Sequence, residues 1–215
     1  CGLKALTRSA ELNGLRRLYL GFNELETIPK TFFWSYCRLE ILSFFNNQIS
    51  TIHKNAFRDL IKLRRLSLNQ NRLKTLESTL FEDCINLEVV DLDNNQLSEI
   101  NGDLFANQPL LRKVFLQNNQ LTAIESHFLS QVINLKLSTV LFRKNKCIDF
   151  VYPDDGDFEA MQEIFMENCK PPPLTTTERR TTPYQQTLPP PYKTPQILYF
   201  EKCQWKVHPD YTALY

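Results

Sequence analysis

Glycine is scarce, with five in 215 residues, too few and too dispersed for the glycine-rich loop that cradles a phosphate. Histidine is scarcer still. The three, at His53, His127 and His208, lie far apart, and no nucleophile and orienting acid recur near any of them, so no catalytic constellation is expected. Excess charge of either sign is missing: 25 lysines and arginines face 24 aspartates and glutamates, a formal +1. That excludes the basic surplus that general nucleic-acid affinity requires. No apolar run approaches the roughly 18–20 residues of a membrane span, and no secretory signal opens the chain. Asp154, Asp155 and Asp157 surround Gly156 without the other spaced oxygens of a calcium loop, which reads as a solvated turn. No cofactor, no metal and no enzymatic activity are expected.

What the chain has is leucine at offsets that suit neither a helix nor a long strand. In LRRLSLNQNRLKTL, residues 63 to 76, the apolar positions follow no single short period. They return instead every 24 residues. The columns read Leu15, Leu39, Leu63, Leu87, Leu111; Leu18, Leu42, Leu66, Val90, Val114; and Leu20, Phe44, Leu68, Leu92, Leu116. An asparagine column follows, Asn23, Asn47, Asn71, Asn95, Asn119. Next come Leu25, Ile49, Leu73, Leu97, Leu121, then Ile28, Ile52, Leu76, Ile100, Ile124, and a phenylalanine column, Phe33, Phe57, Phe81, Phe105. The chain is a repeat array.

Each column has a physical reason. LxxLxL turns its apolar residues into the coil from a short strand, and such strands stack in parallel at ~4.8 Å. The asparagines stand where the chain leaves the strand, so their amides can bond backbone groups the turn leaves unpaired. The phenylalanines form a second buried row. Together these columns resemble the leucine-rich repeat family, in its 24-residue class common in extracellular proteins, over residues 3–146. The resemblance implies an α/β leucine-rich repeat solenoid: a curved horseshoe with short parallel strands on the concave face and an irregular or 3-10 convex side.

The ends depart from the repeat. Residues 1–12 read as the second half of a repeat without its strand, Leu3, Leu6 and Leu12 taking late positions, so the chain is expected to be a piece of a longer one. At the far end two extra residues precede a closing strand, marked by Leu137, Val140, Phe142 and Asn145. The segment from Cys147 to Cys169 resembles a compact form of the cysteine-bearing C-terminal cap of secreted insect leucine-rich repeat proteins. The resemblance implies a Cys147–Cys169 disulfide, where the full family cap usually has four cysteines. Phe158, Met161, Ile164 and Phe165 fall at helical spacing, which predicts an amphipathic helix across the last coil. Cys84 replaces the Leu60 of an earlier repeat and is expected to be a small buried hydrophobe. Cys37 stands two coils away, ~10 Å, too far to bridge it. Cys1 and Cys203 are left to pair with each other, with a lost N-terminal partner or with a second chain.

Residues 170–195, KPPPLTTTERRTTPYQQTLPPPYKTP, read as a disordered Pro/Thr-rich linker, and 196–215 as a segment of unknown structure. Within the linker, PPPY at Pro189–Tyr192 matches a WW-domain ligand.

The unaligned strand positions are not needed for the core and would face outward. Across the coils the third position reads Arg17, Ile41, Arg65, Val89, Lys113; the fifth Tyr19, Ser43, Ser67, Asp91, Phe115; the seventh Gly21, Phe45, Asn69, Asp93, Gln117; and the eighth Phe22, Asn46, Gln70, Asn94, Asn118. Exposed aromatics beside arginine have the composition of interface hot spots. Arg17, Tyr19, Phe45, Arg65, Asp91, Asp93, Lys113 and Phe115 are therefore the expected contacts for a protein ligand on the concave face. The favoured function is a secreted or receptor-ectodomain recognition module, by resemblance in innate immunity or cell adhesion. The alternatives are an intracellular adaptor acting through PPPY and a structural matrix protein. Exposed faces or Cys203 offer routes to a homo- or hetero-oligomer.

Overall fold

The computed structural model describes residues 2–6, 14–30, 32–34, 36–125, 128, 139–148, 151–152, 167–169, 198–201 and 204–207. Each LxL segment forms a three-residue strand: β1 Arg17–Tyr19, β3 Ile41–Ser43, β5 Arg65–Ser67, β6 Val89–Asp91, β8 Lys113–Phe115 and β10 Thr139–Leu141. They stack in parallel in sequence order, and β11 (Val151–Tyr152) joins antiparallel beside β10 to complete a seven-stranded sheet. The register is unshifted, Leu18 opposite Leu42, Leu42 opposite Leu66, Leu66 opposite Val90 and Val90 opposite Val114. A one-residue slip would turn every leucine out to solvent.

The far side of the coils is not wholly irregular. Short parallel ladders form between β2 (Thr27–Ile28) and β4 (Thr51–Ile52), and between β7 (Glu99–Ile100) and β9 (Ala123–Ile124). Between them the chain closes by i to i−3 bonds of the 3-10 type, such as Leu60 N–H to the Phe57 carbonyl at 3.2 Å and Leu87 N–H to the Cys84 carbonyl at 3.0 Å. The expected α/β class is therefore corrected: the described array is a parallel β-solenoid of about five turns. A repeat this short leaves too few residues on the far side to nucleate a helix. The helix predicted around Phe158, Met161, Ile164 and Phe165, and the linker of residues 170–195, lie outside the described residues.

Inside the coils the leucine columns are sealed, Leu42, Leu63, Leu68, Leu92 and Leu116 all being fully buried. Burial of such a side chain stabilises by roughly 1.5–3 kcal/mol. Behind them the phenylalanines touch in a continuous line, Phe33 to Phe57 to Phe81 to Phe105 at 6.1, 6.1 and 5.5 Å between ring centres. The line runs on through Phe128 to Phe142 at 6.1 and 6.4 Å.

The asparagines do what the spacing suggests. Asn71 Nδ2 donates to the carbonyls of Phe44 (3.0 Å) and Leu68 (2.9 Å), while its Oδ1 accepts the Ile49 N–H (2.9 Å). One amide thus ties three backbone groups in two coils. Asn47, Asn95, Asn119 and Asn145 repeat the arrangement. At the first coil Asn23 Oδ1 accepts from Leu3 N–H (3.1 Å), and the Leu3 carbonyl accepts the Glu24 N–H (3.0 Å). Residues 2–6 therefore occupy the place of a preceding turn, and Leu15, Leu18 and Leu20 are only partly buried.

At the other end Cys147 and Cys169 are bonded, with Cα atoms 5.1 Å apart. Cys169 is buried and its carbonyl accepts the Ile124 N–H (3.1 Å), while Cys147 N–H donates to Leu121 (2.9 Å), so the bridge fastens residues 167–169 to the last coils. Cys37 is also disulfide-bonded, to a partner outside the described residues.

Contacts divide the chain into residues 1–172 and 173–215. The second unit holds an antiparallel hairpin of β12 (Leu198–Glu201) and β13 (Gln204–Val207), with Phe200 opposite Trp205.

Candidate functional site

The strand residues between the leucines share the open face of the sheet. Direct register aligns one row as Tyr19, Ser43, Ser67, Asp91, Phe115 and Leu141, and a second as Arg17, Ile41, Arg65, Val89, Lys113 and Thr139. Adjacent members are ~4.8 Å apart. Arg17, Tyr19, Arg65 and Lys113 are exposed, while Phe45, Asp91 and Phe115 are half-buried. Six of the eight expected contact residues lie in these rows, with Phe45 and Asp93 just past the ends of β3 and β6, and they are spread along the sheet: Tyr19 and Phe115 stand four strand steps apart, ~19 Å.

Asp93 differs from expectation. It is 9% exposed, drawn into a polar network in which its Oδ2 accepts from Asn94 Nδ2 (2.8 Å) and Gln117 Nε2 (3.2 Å). Its other oxygen, Oδ1, is buried with no partner among the described residues. The neighbouring Asp91 accepts the Asp93 backbone N–H at 3.2 Å. Neither acid forms an ion pair among the described residues. Burial, then the facing Asp93 carboxyl, push the Asp91 pKa up to about 7, which the backbone bond only partly opposes.

At the N-terminal end Phe22 and Phe45 meet edge to face, 4.9 Å between centres, and Tyr19 and Phe22 are 65% and 68% exposed. Phe22 opens a column of left-handed residues at the eighth position: its φ of 56° is matched by Asn46 (53°), Gln70 (54°), Asn94 (52°), Asn118 (53°) and Lys144 (58°). Asparagine tolerates this conformation; phenylalanine is strained in it.

The remaining chemistry is inert. Cys84 is fully buried, its Sγ 3.7 Å from the Phe57 carbonyl, and burial raises its pKa to about 12, so it is no nucleophile. His53 lies exposed on the far side, its Nδ1 accepting the Asn55 N–H, and His127 lies outside the described residues. No group of three metal-ligating side chains occurs among the described residues. None of the described helices could span a membrane.

Residues 26–149 match the family described as BspA type leucine rich repeat region, in six copies. The chain is a leucine-rich repeat protein. Among solved structures, the leucine-rich repeat protein LIC12759 of Leptospira interrogans is similar, with 26% identity and a TM-score of 0.58 over 74% of this chain. The APL1 leucine-rich repeat domain shares the fold, with 23% identity and a TM-score of 0.50 over 61% of this chain. The matched stretches span 37% and 32% of those two chains. No curated protein matches.

Leucine-rich repeat proteins generally mediate protein–protein interaction on a non-enzymatic scaffold, and in this array the strand positions between the leucines are not used by the core. Sequence reasoning missed a ladder on its flank. The residue before each strand alternates in charge, Arg16, Glu40, Arg64, Glu88 and Arg112. Arg16 pairs with Glu40 at 3.5 Å, and Arg64 pairs with Glu88 through Nη2 at 2.7 Å and Nε at 2.8 Å. Reading that column as the leucines were read would have found it. A hollow of about 450 Å³ lies along this ladder, lined by Lys62 and Asn86 as well.

Proposed function

We propose that this leucine-rich repeat array is a non-enzymatic recognition module, secreted or part of a receptor ectodomain, that binds a protein ligand across the open, concave face of its sheet. The observation that carries the reading is Asp91, a half-buried acid with an acidic neighbour and no counter-ion among the described residues. It costs the fold stability, and a perturbed acid on an open face is a candidate contact for a ligand's cation. The exposed Arg17, Tyr19, Arg65 and Lys113 around it pack nothing that the coils need. The Cys147–Cys169 bridge supports an oxidising compartment, and an immune or adhesive setting is the one the family resemblance suggests.

The test has two parts. The full chain and its Tyr19→Ala/Arg65→Ala/Asp91→Ala variant are applied to an array of extracellular proteins; hits lost by a variant that still unfolds cooperatively support the reading, and unchanged hits defeat the assignment of this face. A non-reducing peptide map of the natural protein then checks the compartment. Free thiols at Cys147 and Cys169 would favour the adaptor reading through PPPY, a motif outside the described residues.

A further inference from the structure

The open face varies along the row that runs from Tyr19 to Asp91. At β1 and β3, Tyr19, Phe22 and Phe45 present an aromatic cluster; at β3 and β5 the row drops to the small side chains of Ser43 and Ser67; at β6 it meets Asp91 and Asp93. We propose that this row is a trough for an extended segment of the protein ligand, one that sets an apolar side chain on the aromatic cluster and a basic side chain on the Asp91–Asp93 pair. This rests on the recognition reading above and specifies the partner's chemistry.

Three independent observations support it. Phe22 holds a left-handed backbone, φ 56°, in a column where other coils place asparagine, glutamine or lysine, and it remains 68% exposed. A strained backbone carrying an exposed aromatic adds little to the fold, so the ring is available to a ligand. Among the described residues the acid pair lacks a cation: Arg65 on β5 and Lys113 on β8 are the charged groups on the strands flanking it, both exposed and neither paired with it. Asp93 adds a buried, unpartnered Oδ1 to that pair. A guanidinium or ammonium would supply the positive charge that the acid pair lacks among the described residues. Between the two subsites the serines leave room for a peptide backbone to lie close to the sheet.

The spacing follows from the register. From β1 to β6 is three strand steps, ~14 Å, and an extended peptide advances ~3.4 Å per residue. The basic residue therefore falls about four positions from the apolar one.

The experiment pans a displayed library of random 12-residue peptides on the full chain at pH 8. Binders are retested on Ser67→Arg, which fills the trough, and on Asp91→Asn/Asp93→Asn, which keeps its shape. The expected binders are lost on Ser67→Arg, carry an aromatic or aliphatic residue about four positions from an arginine or lysine, and bind at least tenfold more weakly to the double variant. Binders lost on Ser67→Arg but indifferent to the double variant overturn the acid-pair subsite and leave the open-face reading standing. Binders that all map elsewhere, or none at all, overturn both.

Discussion

The backbone N–H of Asp93 donates to Oδ1 of Asp91 over 3.2 Å, so the turn that ends β6 holds two carboxyl groups on one surface. This bond favours ionised Asp91, yet burial and the second carboxyl outweigh it and the pKa stands at about 7 against an ordinary 3.8.

The sign of the stability effect follows. Between about pH 4 and 7 the folded chain keeps the Asp91 proton while the unfolded chain has released it, so folding stability falls as pH rises through this window and levels off above it. Arg65 and Lys113 lie on the flanking strands and Asp93 faces Asp91, so these are the charged groups that bear on the window. Asp91→Asn should remove this slope and raise stability at pH 8 by on the order of 1–2 kcal/mol, discounted for the water that reaches the half-buried side chain. Tm measured from pH 4 to 8 for both proteins checks it; parallel curves would show that Asp91 ionises normally.

The asparagine ladder makes a graded prediction. Asn71→Ala leaves the buried Ile49 N–H without a partner and removes one of the two donors to the Phe44 carbonyl, which keeps Asn47 Nδ2, at about 1–3 kcal/mol for the orphaned N–H. Asn23, at the half-covered first coil, bonds the exposed Leu3 N–H, which water can satisfy instead. Urea unfolding should show Asn71→Ala costing at least twice what Asn23→Ala does, and equal losses would refute the ladder as the source of the energy.

Gln70 tests the left-handed column away from the proposed trough's ends. It is exposed, with φ 54°. Gln70→Asn should stabilise by about 0.5 kcal/mol, because asparagine adopts this conformation at low cost, whereas the β-branched Gln70→Val should destabilise by about 1 kcal/mol. Denaturation midpoints of the two variants, falling on opposite sides of the parent, are the expected outcome.

Strands, core columns and asparagine ladder were legible because each is dictated at every coil by the same geometry, so the sequence states it five times. The left-handed column was half-legible: Asn46, Asn94 and Asn118 signal it, but Phe22 and Gln70 hide it. Asp93 was read as an exposed contact and is buried, because Gln117 and Asn94 from two separate turns close over it, a contact no column predicts. The antiparallel pairing of β12 with β13 was not read, because the sequence between them carries no Asn-Gly or Gly-X hairpin signal. Cys37 bonds a cysteine that spacing alone cannot choose.

The charge ladder bears on register. Arg64 contacts Glu88 through two nitrogens, and the Glu88 side chain is 19% exposed, geometry better than that of an ordinary surface pair. Its neighbour on the other side is Glu40, whose carbonyl also accepts the Arg64 N–H at 2.8 Å. Arg64→Glu would therefore place three acids side by side at ~4.8 Å intervals, replacing an attraction with two repulsions. Arg64→Ala should cost about 1 kcal/mol, and Arg64→Glu distinctly more. Exchanging the pair, Arg64→Glu with Glu88→Arg, should fail to restore stability, since the new arginine would face Arg112 and the new glutamate Glu40. Raising salt to ~1 M, where the screening length falls to ~3 Å, should narrow the gap between Arg64→Ala and Arg64→Glu. A gap unchanged at high salt would refute alternating charge as what holds the coils in step at this edge.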